Sequence, residues 1–145
     1  MSEERFKLVV GVLILLIKKD KVFLIKRKNT GWEDGKYSLF GGHINGDEKV
    51  SDAAIRETQE EIGIKINPKD LRFVNVTHLI TSTERIHFAF VANKWTGEPI
   101  NQEPEKADDG AWFPINNLPK SINEVSREII GCYQNSIPFE ETGWK

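Results

Sequence analysis

Three glutamates near the middle of the chain, Glu57, Glu60 and Glu61, have a spacing that could bind a metal ion. On a helix they fall within one sector of about 100°. Glu57 and Glu61 are an i, i+4 pair of like charges, which destabilises a helix by roughly 0.2–0.5 kcal/mol. Magnesium takes carboxylate oxygens as ligands, together with water and substrate phosphates. The cluster therefore predicts a metal site, although a solvated acidic helix face would give the same pattern.

The flanking residues favour the first interpretation. The segment over residues 42–64 reads G-x5-E-x7-R-E-T-x-E-E-x-G-I. It resembles the box of the Nudix hydrolases, in which the fixed glycines and charges stand at the same spacing. Thr58 replaces an aliphatic residue of that box, and Phe40 stands where the family often has proline. The resemblance implies an α+β fold, an α/β/α sandwich whose mixed sheet carries the catalytic helix on one face. It also implies one domain over residues 1–145.

The resemblance implies catalytic and metal-binding roles for particular residues. The implied metal is Mg²⁺ or Mn²⁺, and its ligands would be Glu57, Glu60, Glu61 and the carbonyl group of Gly41. Arg56 would orient a carboxylate. The general base would be Glu57 or a glutamate of the acidic loop over residues 96–110, where Glu105 is favoured over Glu103.

Other residues would shape the site or contact the substrate. Gly42, Glu48 and Gly63 would support the backbone of the box, the glycines through tight turns. A nucleobase usually binds against an aromatic face with a few polar groups. The candidate substrate contacts are His43, Trp32, Tyr37 and Glu103, and the further aromatic candidates are Phe40 and Trp112, although each aromatic could equally pack in the core. His78 and His87 fall in predicted strands and are interpreted as structural.

The implied activity is hydrolysis of a nucleoside diphosphate linked to another group, X. The segment 77–82 lacks the proline found in ADP-ribose hydrolases and the tyrosine found in dinucleoside polyphosphate hydrolases of this family. The coenzyme A hydrolase signature is also missing. Elimination favours a (deoxy)nucleoside triphosphate or a modified nucleotide, cleaved to nucleoside monophosphate and pyrophosphate. The alternative is a nucleotide-binding regulatory module on a Nudix fold without useful catalysis.

Composition limits the partners and the location. The chain has 145 residues, of which 39% are hydrophobic and 29% charged, as in globular proteins. Its net charge of −2 argues against duplex nucleic acid as a partner. The single cysteine, Cys132, predicts a reducing compartment, hence the cytoplasm. The apolar run Leu8–Ile17 is too short to span a bilayer, so no membrane partner is expected. The family resemblance is compatible with a homodimer.

Periodicity predicts the elements that position these residues. Strands are expected over Lys7–Ile17, Val22–Arg27, Tyr37–Phe40, Leu71–Ile80, Arg85–Lys94 and Ala111–Pro114. The catalytic helix should run over Lys49–Ile62, with a capping box of Asn45 and Glu48 before it and Gly63 after it. Pro119 should open a second helix. The expected order is β-β-β-α-β-β-β-α.

Overall fold

The computed structural model describes residues 4–31, 33–105 and 107–145. Within them the chain forms eight strands, two α-helices and one short 3-10 helix at Pro68–Asp70. The strands and helices are β1 (Val9–Lys18), β2 (Lys21–Arg27), β3 (Tyr37–Ser38), β4 (Phe40–His43), α1 (Val50–Ile62), β5 (Arg72–Ile80), β6 (Glu84–Ala92), β7 (Ala107–Pro114), α2 (Glu124–Asn135) and β8 (Phe139–Thr142). In the described part of the chain, neither helix is long and apolar enough to cross a membrane.

Strand β1 organises the mixed sheet. One edge of β1 pairs in parallel with β6 along almost its whole length. The other edge is shared, because Gly11–Ile14 pairs with β4 and Ile17–Lys18 pairs with β2. The sheet order is β3-β2-β1-β6-β5-β8, with β4 on β1 and β7 on β2. The sheet therefore divides along β1, and β4 and β2 leave a junction between them.

The two helices cover different apolar clusters of the sheet. Alternate residues of a strand point to opposite faces, so Val12, Ile14 and Leu16 join the cluster on the α1 side. Leu15 belongs to the cluster on the α2 side. Helix α1 packs on β1, β4 and β6, and α2 packs on β5. The mixed sheet with the box helix on one face confirms the predicted fold class.

Helix α1 ends as the sequence predicts but begins differently. Gly63 has a left-handed φ of 72°, and its N–H donates to the Gln59 carbonyl. The predicted capping box is wrong, because the N-cap is Lys49, whose side chain makes no capping hydrogen bond. Glu48 Oε1 does accept from the Asn45 N–H at 2.9 Å. Glu48 also binds Arg56, so it ties the preceding loop to the helix rather than capping it.

Two strand predictions differ from the structure. The predicted strand Tyr37–Phe40 is two strands, because Tyr37 and Ser38 pair with β2 whereas Phe40 begins the pairing with β1. Strand β7 begins at Ala107, inside the predicted acidic loop. A bulge in β2 lets Ala107 pair with Arg27 there. Acidic residues are depleted in strands, which explains why the sequence pattern missed this pairing.

The C-terminal elements also depart from expectation. Helix α2 starts after Asn123, whose side chain accepts from the Ser126 N–H at 2.9 Å, so Pro119 does not open it. Ile122 forms a bridge with Tyr37 instead of the first helical turn. Strand β8 was not predicted. It pairs in parallel with β5 at the sheet edge, and its short polar sequence gives little strand signal.

Candidate active site

The last two turns of α1 place the predicted carboxylates at the edge of its buried face. Ala54, Thr58 and Ile62 are buried, and Glu57 lies beside them with its side chain 14% exposed. Glu60 is more open, at 56%. Glu61 is partly buried, and its Oε2 accepts from the Gly41 N–H at 3.2 Å. The three carboxylates therefore lie in the predicted sector of the helix, and Glu60 is the most exposed of them.

Arg56 connects the carboxylates to the box loop. Its Nε donates to Glu48 at 2.8 Å. One terminal nitrogen donates to Glu57 at 2.8 Å and to Glu60 at 3.2 Å. The other donates to the carbonyl of His43 at 3.0 Å and to Glu48 at 3.0 Å. The guanidinium therefore contacts three carboxylates, Glu48, Glu57 and Glu60.

The glycine pair lets strand β4 approach its neighbours. A Cβ on Gly42 would lie 2.3 Å from Cδ of Glu57. A Cβ on Gly41 would meet the carbonyl of Val12. Gly42 is extended backbone in β4, so its role is space for Glu57 and not the predicted tight turn. Gly63 does need the left-handed conformation that favours glycine.

A cavity of about 470 Å³ opens beside this strand. Its lining includes Gly41, Gly42, His43 and Glu61 from the box, and Glu103 from the acidic loop. Glu105 is exposed and does not line the cavity, and its carbonyl accepts from Asn29. The structure therefore brings Glu103 to the carboxylates and not the favoured Glu105. The turn before β7 directs the two residues differently.

The carboxylates act on one another electrostatically. Burial, together with the charges of Glu57 and Glu103, raises the pKa of Glu61 to about 8. Burial also raises the pKa of Glu57, against the Arg56 hydrogen bond that lowers it. In contrast, Arg56 holds the pKa of Glu48 at about 2. Arg56 therefore keeps Glu48 ionised, whereas burial disfavours the charged forms of Glu57 and Glu61, which a bound cation would stabilise.

The donor set fits a hard divalent cation. Carboxylate and carbonyl oxygens suit Mg²⁺ and Mn²⁺. When ionised, Glu57, Glu61 and Glu103 repel one another in a partly buried place, and a cation would relieve that repulsion. Among the described residues, no three His, Cys, Asp or Glu side chains are already arranged around one metal position. Arg56 engages Glu57 and Glu60 in this arrangement.

The predicted substrate contacts separate into different places. His43 is exposed and lines the cavity. Tyr37 packs edge-on against Phe113 in the cluster on the α2 side and lies away from the cavity. Phe40 is buried in the core, and Trp112 stacks on Trp95. Trp32 lies outside the described residues.

Sequence reasoning missed several polar residues of the cavity wall. Arg27 ends β2 and lines the cavity, and its side chain donates to Thr30 at 3.2 Å. Asn101 also lines it, and its side chain donates to the Ala107 carbonyl. A charged residue at the end of a buried strand was the available signal for Arg27. Asn101 gave no such signal, because loop geometry alone brings it to the cavity.

Comparison with known proteins identifies the family. The NUDIX domain model matches residues 6–131. The chain is 34% identical to the ADP-ribose pyrophosphatase of Methanocaldococcus jannaschii, covering 77% of this chain and 64% of that protein. It is 30% identical to the oxidized purine nucleoside triphosphate hydrolase of Danio rerio, covering 75% and 68%. The chain therefore belongs to the Nudix family.

Two further comparisons concern chain length and fold. The chain is 26% identical to the NAD-capped RNA hydrolase NudC of Stutzerimonas stutzeri over 88% of its own residues, and it spans only 45% of that protein. A MutT NUDIX hydrolase from Burkholderia pseudomallei has a similar structure, with a TM-score of 0.80 and 26% identity, covering 87% of this chain and 98% of that one.

Proposed function

We propose that this protein is a hydrolase that uses Mg²⁺ or Mn²⁺ to cleave the pyrophosphate linkage of nucleoside diphosphate-X compounds. One observation carries the proposal. Carboxylates from the box helix and from the acidic loop meet at one cavity wall, where Glu61 and Glu103 line the cavity. Glu57 stands against Gly42 in the same wall. Buried like charges at a cavity are typical of metal-assisted phosphoryl chemistry.

In this proposal each residue has a definite task. Glu57, Glu60, Glu61 and the Gly41 carbonyl would hold the metal, which when bound neutralises phosphate charge and activates water. Arg56 orients Glu57 and Glu60 from the side that faces the loop. Glu103 lines the same cavity and would accept the proton of the attacking water. Glu57 is the other candidate for this base, but Arg56 already engages its carboxylate.

The favoured substrate is a (deoxy)nucleoside triphosphate or a modified nucleotide, and the products are nucleoside monophosphate and pyrophosphate. The name of the Danio rerio relative agrees with a triphosphate substrate. The name of the Methanocaldococcus jannaschii relative favours ADP-ribose instead. The missing proline marker argues for the triphosphate, so ADP-ribose is the comparison substrate. A cytoplasmic location and a homodimer belong to the same proposal, and sedimentation of the purified protein tests the dimer.

A hydrolysis screen tests the function directly. Purified protein is incubated with nucleoside triphosphates, ADP-ribose and dinucleotides in the presence of Mg²⁺, Mn²⁺ or excess chelator. We expect turnover only with metal, and in oxygen-18 water we expect label in the monophosphate or in the pyrophosphate. Undiminished turnover with chelator would exclude the metal mechanism. Label in orthophosphate alone would indicate an ordinary phosphatase, and binding without turnover would favour the regulatory module.

A further inference from the structure

A second, smaller cavity continues from the first at the junction between β4 and β2. Its volume is about 150 Å³. It shares Arg27, His43 and Glu61 with the larger cavity, so the two cavities are adjacent. Arg85 and His87 of β6 line only the smaller one. We call this smaller cavity the basic compartment.

The regular alternation of strands assembles the compartment. Arg85 and His87 are two residues apart in β6, so they point to the same face of the sheet. Gly11 stands directly beside His87 in β1, and His43 pairs with Gly11 from β4. A Cβ on Gly11 would lie 2.9 Å from Cδ2 of His87. This glycine therefore leaves the room in which the imidazole lies.

The compartment concentrates positive charge. Arg27 lines it from β2 and Arg85 from β6. Burial lowers the pKa of Arg27, the carboxylates of Asp34, Glu61 and Glu33 raise it, and the charge of Arg85 lowers it. Burial and the charge of Arg85 lower the pKa of His87. His43 acts on His87 in the same direction. Among the described residues that line the compartment, Glu61 is the one carboxylate. An anion placed between the two guanidinium groups would reduce their mutual repulsion.

His87 supplies a second, independent observation. It is 9% exposed, and no hydrogen-bond partner for its Nδ1 lies among the described residues. Burial lowers the pKa of His87 to about 4, so the ring is neutral at pH 7. A buried polar atom without a partner is costly, and the side chain that carries it lines the compartment. The structural role expected for His87 from the sequence does not account for this atom.

We propose that the basic compartment binds an oxyanion carried by the X group of the substrate. This inference rests on the proposed function and adds the substrate class, because X must carry a terminal phosphate or a carboxylate. Guanidinium groups match both through paired N–H donors. Arg85 would be the specificity residue, since it lines the compartment but not the main cavity. Arg27 lines both and would also contact the pyrophosphate.

Equilibrium binding tests the terminal phosphate. The probes are the α,β-methylene analogues of ATP and ADP, in which the cleavable bridge is blocked. Wild-type protein should bind the ATP analogue about tenfold or more tightly than the ADP analogue, the scale of one charge-assisted hydrogen bond. Arg85→Gln should remove most of this difference. Arg127→Gln is the matched control, because Arg127 lies on α2 near Glu124 and away from both cavities.

A second arm distinguishes the source of the oxyanion. UDP-glucuronate and UDP-glucose differ at X by one carboxylate, and each is used to displace the ATP analogue. Preference for the glucuronate that Arg85→Gln abolishes would assign a carboxylate, and preference confined to the ATP analogue would assign the phosphate. Equal weakening of both members of each pair by Arg85→Gln, or no weakening, would overturn the proposal. Failure of the proposed function looks different, because hydrolysis would be absent while the binding preference persisted.

Discussion

The two helices differ in the residues at their ends. Helix α2 has an Asn123 cap, an acidic residue in its first turn and a left-handed C-cap, all of which stabilise helices. Helix α1 has no side-chain cap. It also carries Glu60 and Glu61 in its last turn, beside the negative end of the helix dipole. Both helices have an acidic residue in the first turn and a left-handed C-cap, so they differ in the missing side-chain cap of α1 and in the carboxylates of its last turn.

The departures of α1 from helix preferences lie at both of its ends. Its start lacks a side-chain cap, and its last two turns hold Glu57 and Glu61, whose negative charges repel each other. Arg56 offsets part of this repulsion through its bonds to Glu57 and Glu60. Proteins tend to violate local rules at functional sites. The carboxylates at the end of α1 therefore support the chemistry proposed there, and each prediction below tests one part of the contrast between the helices.

The largest expected effect comes from neutralising a carboxylate of α1. Glu61→Gln keeps the shape of the side chain and removes its charge. We expect turnover to fall at least about a hundredfold, as for groups that stabilise a transition state. Steady-state hydrolysis of the best substrate from the screen measures it. Glu124→Gln on α2 is the control, since that side chain is 78% exposed and should leave turnover unchanged. Similar losses in both variants would remove the functional contrast.

The next effect comes from filling the space beside Glu57. Gly42→Ala places a Cβ 2.3 Å from the Glu57 carboxyl carbon, so that carboxylate must move. We expect turnover to fall at least about tenfold, and stability to fall by about 1–3 kcal/mol, as for overpacked sites. Gly46→Ala is a matched control in the same loop, because nothing lies within 4 Å of its added Cβ. A Gly42→Ala variant with normal turnover would show that Glu57 can be displaced without consequence.

These residues also show how much of the site could be predicted from the sequence alone. The box spacing predicted the carboxylate sector of α1, because helical geometry is regular over one short segment. It could not choose between Glu103 and Glu105, since that depends on a turn before β7. It also missed Arg85, which becomes interesting only because Gly11, His43 and Arg27 meet it across the sheet. Contacts between distant segments depend on the register of strand pairing, and the sequence of one segment alone does not determine that register.

The next effect is smaller and concerns the metal-free protein. The change of its unfolding free energy with pH reports the ionisation of Glu61. The pKa of Glu61 is about 8 in the folded protein and about 4.5 in the unfolded chain. Its contribution is therefore complete below pH 4.5 and is lost as the pH rises through 8. Between pH 6.5 and 8.5 we expect the wild type to lose about 1–2 kcal/mol. Glu61→Gln should lose less.

Denaturant unfolding at each pH, with chelator present, provides this measurement. The range begins at 6.5 because His87, with a folded pKa of about 4, adds the opposite slope below that value. The thiol of Cys132 has a raised pKa in both proteins, so its effect cancels in the comparison. A Glu61→Gln variant as pH-sensitive as the wild type would mean that Glu61 is already ionised in the metal-free fold. The repulsion inferred for α1 would then be much weaker.

The smallest expected effect concerns stability and the N-termini of the two helices. Here α2, and not α1, should be the more sensitive to substitution. Asn123→Ala removes the bond from the Ser126 N–H and should cost about 1 kcal/mol, the usual loss for a helix cap. Lys49→Ala removes no capping bond and should change stability by less than about 0.5 kcal/mol. Chemical denaturation of both variants measures the difference. Turnover should stay near the wild-type value in both, because neither residue lines a cavity. If Lys49→Ala were the costlier change, the start of α1 would be stabilised by Lys49 through packing, and the violations of helix rules would be confined to its last two turns.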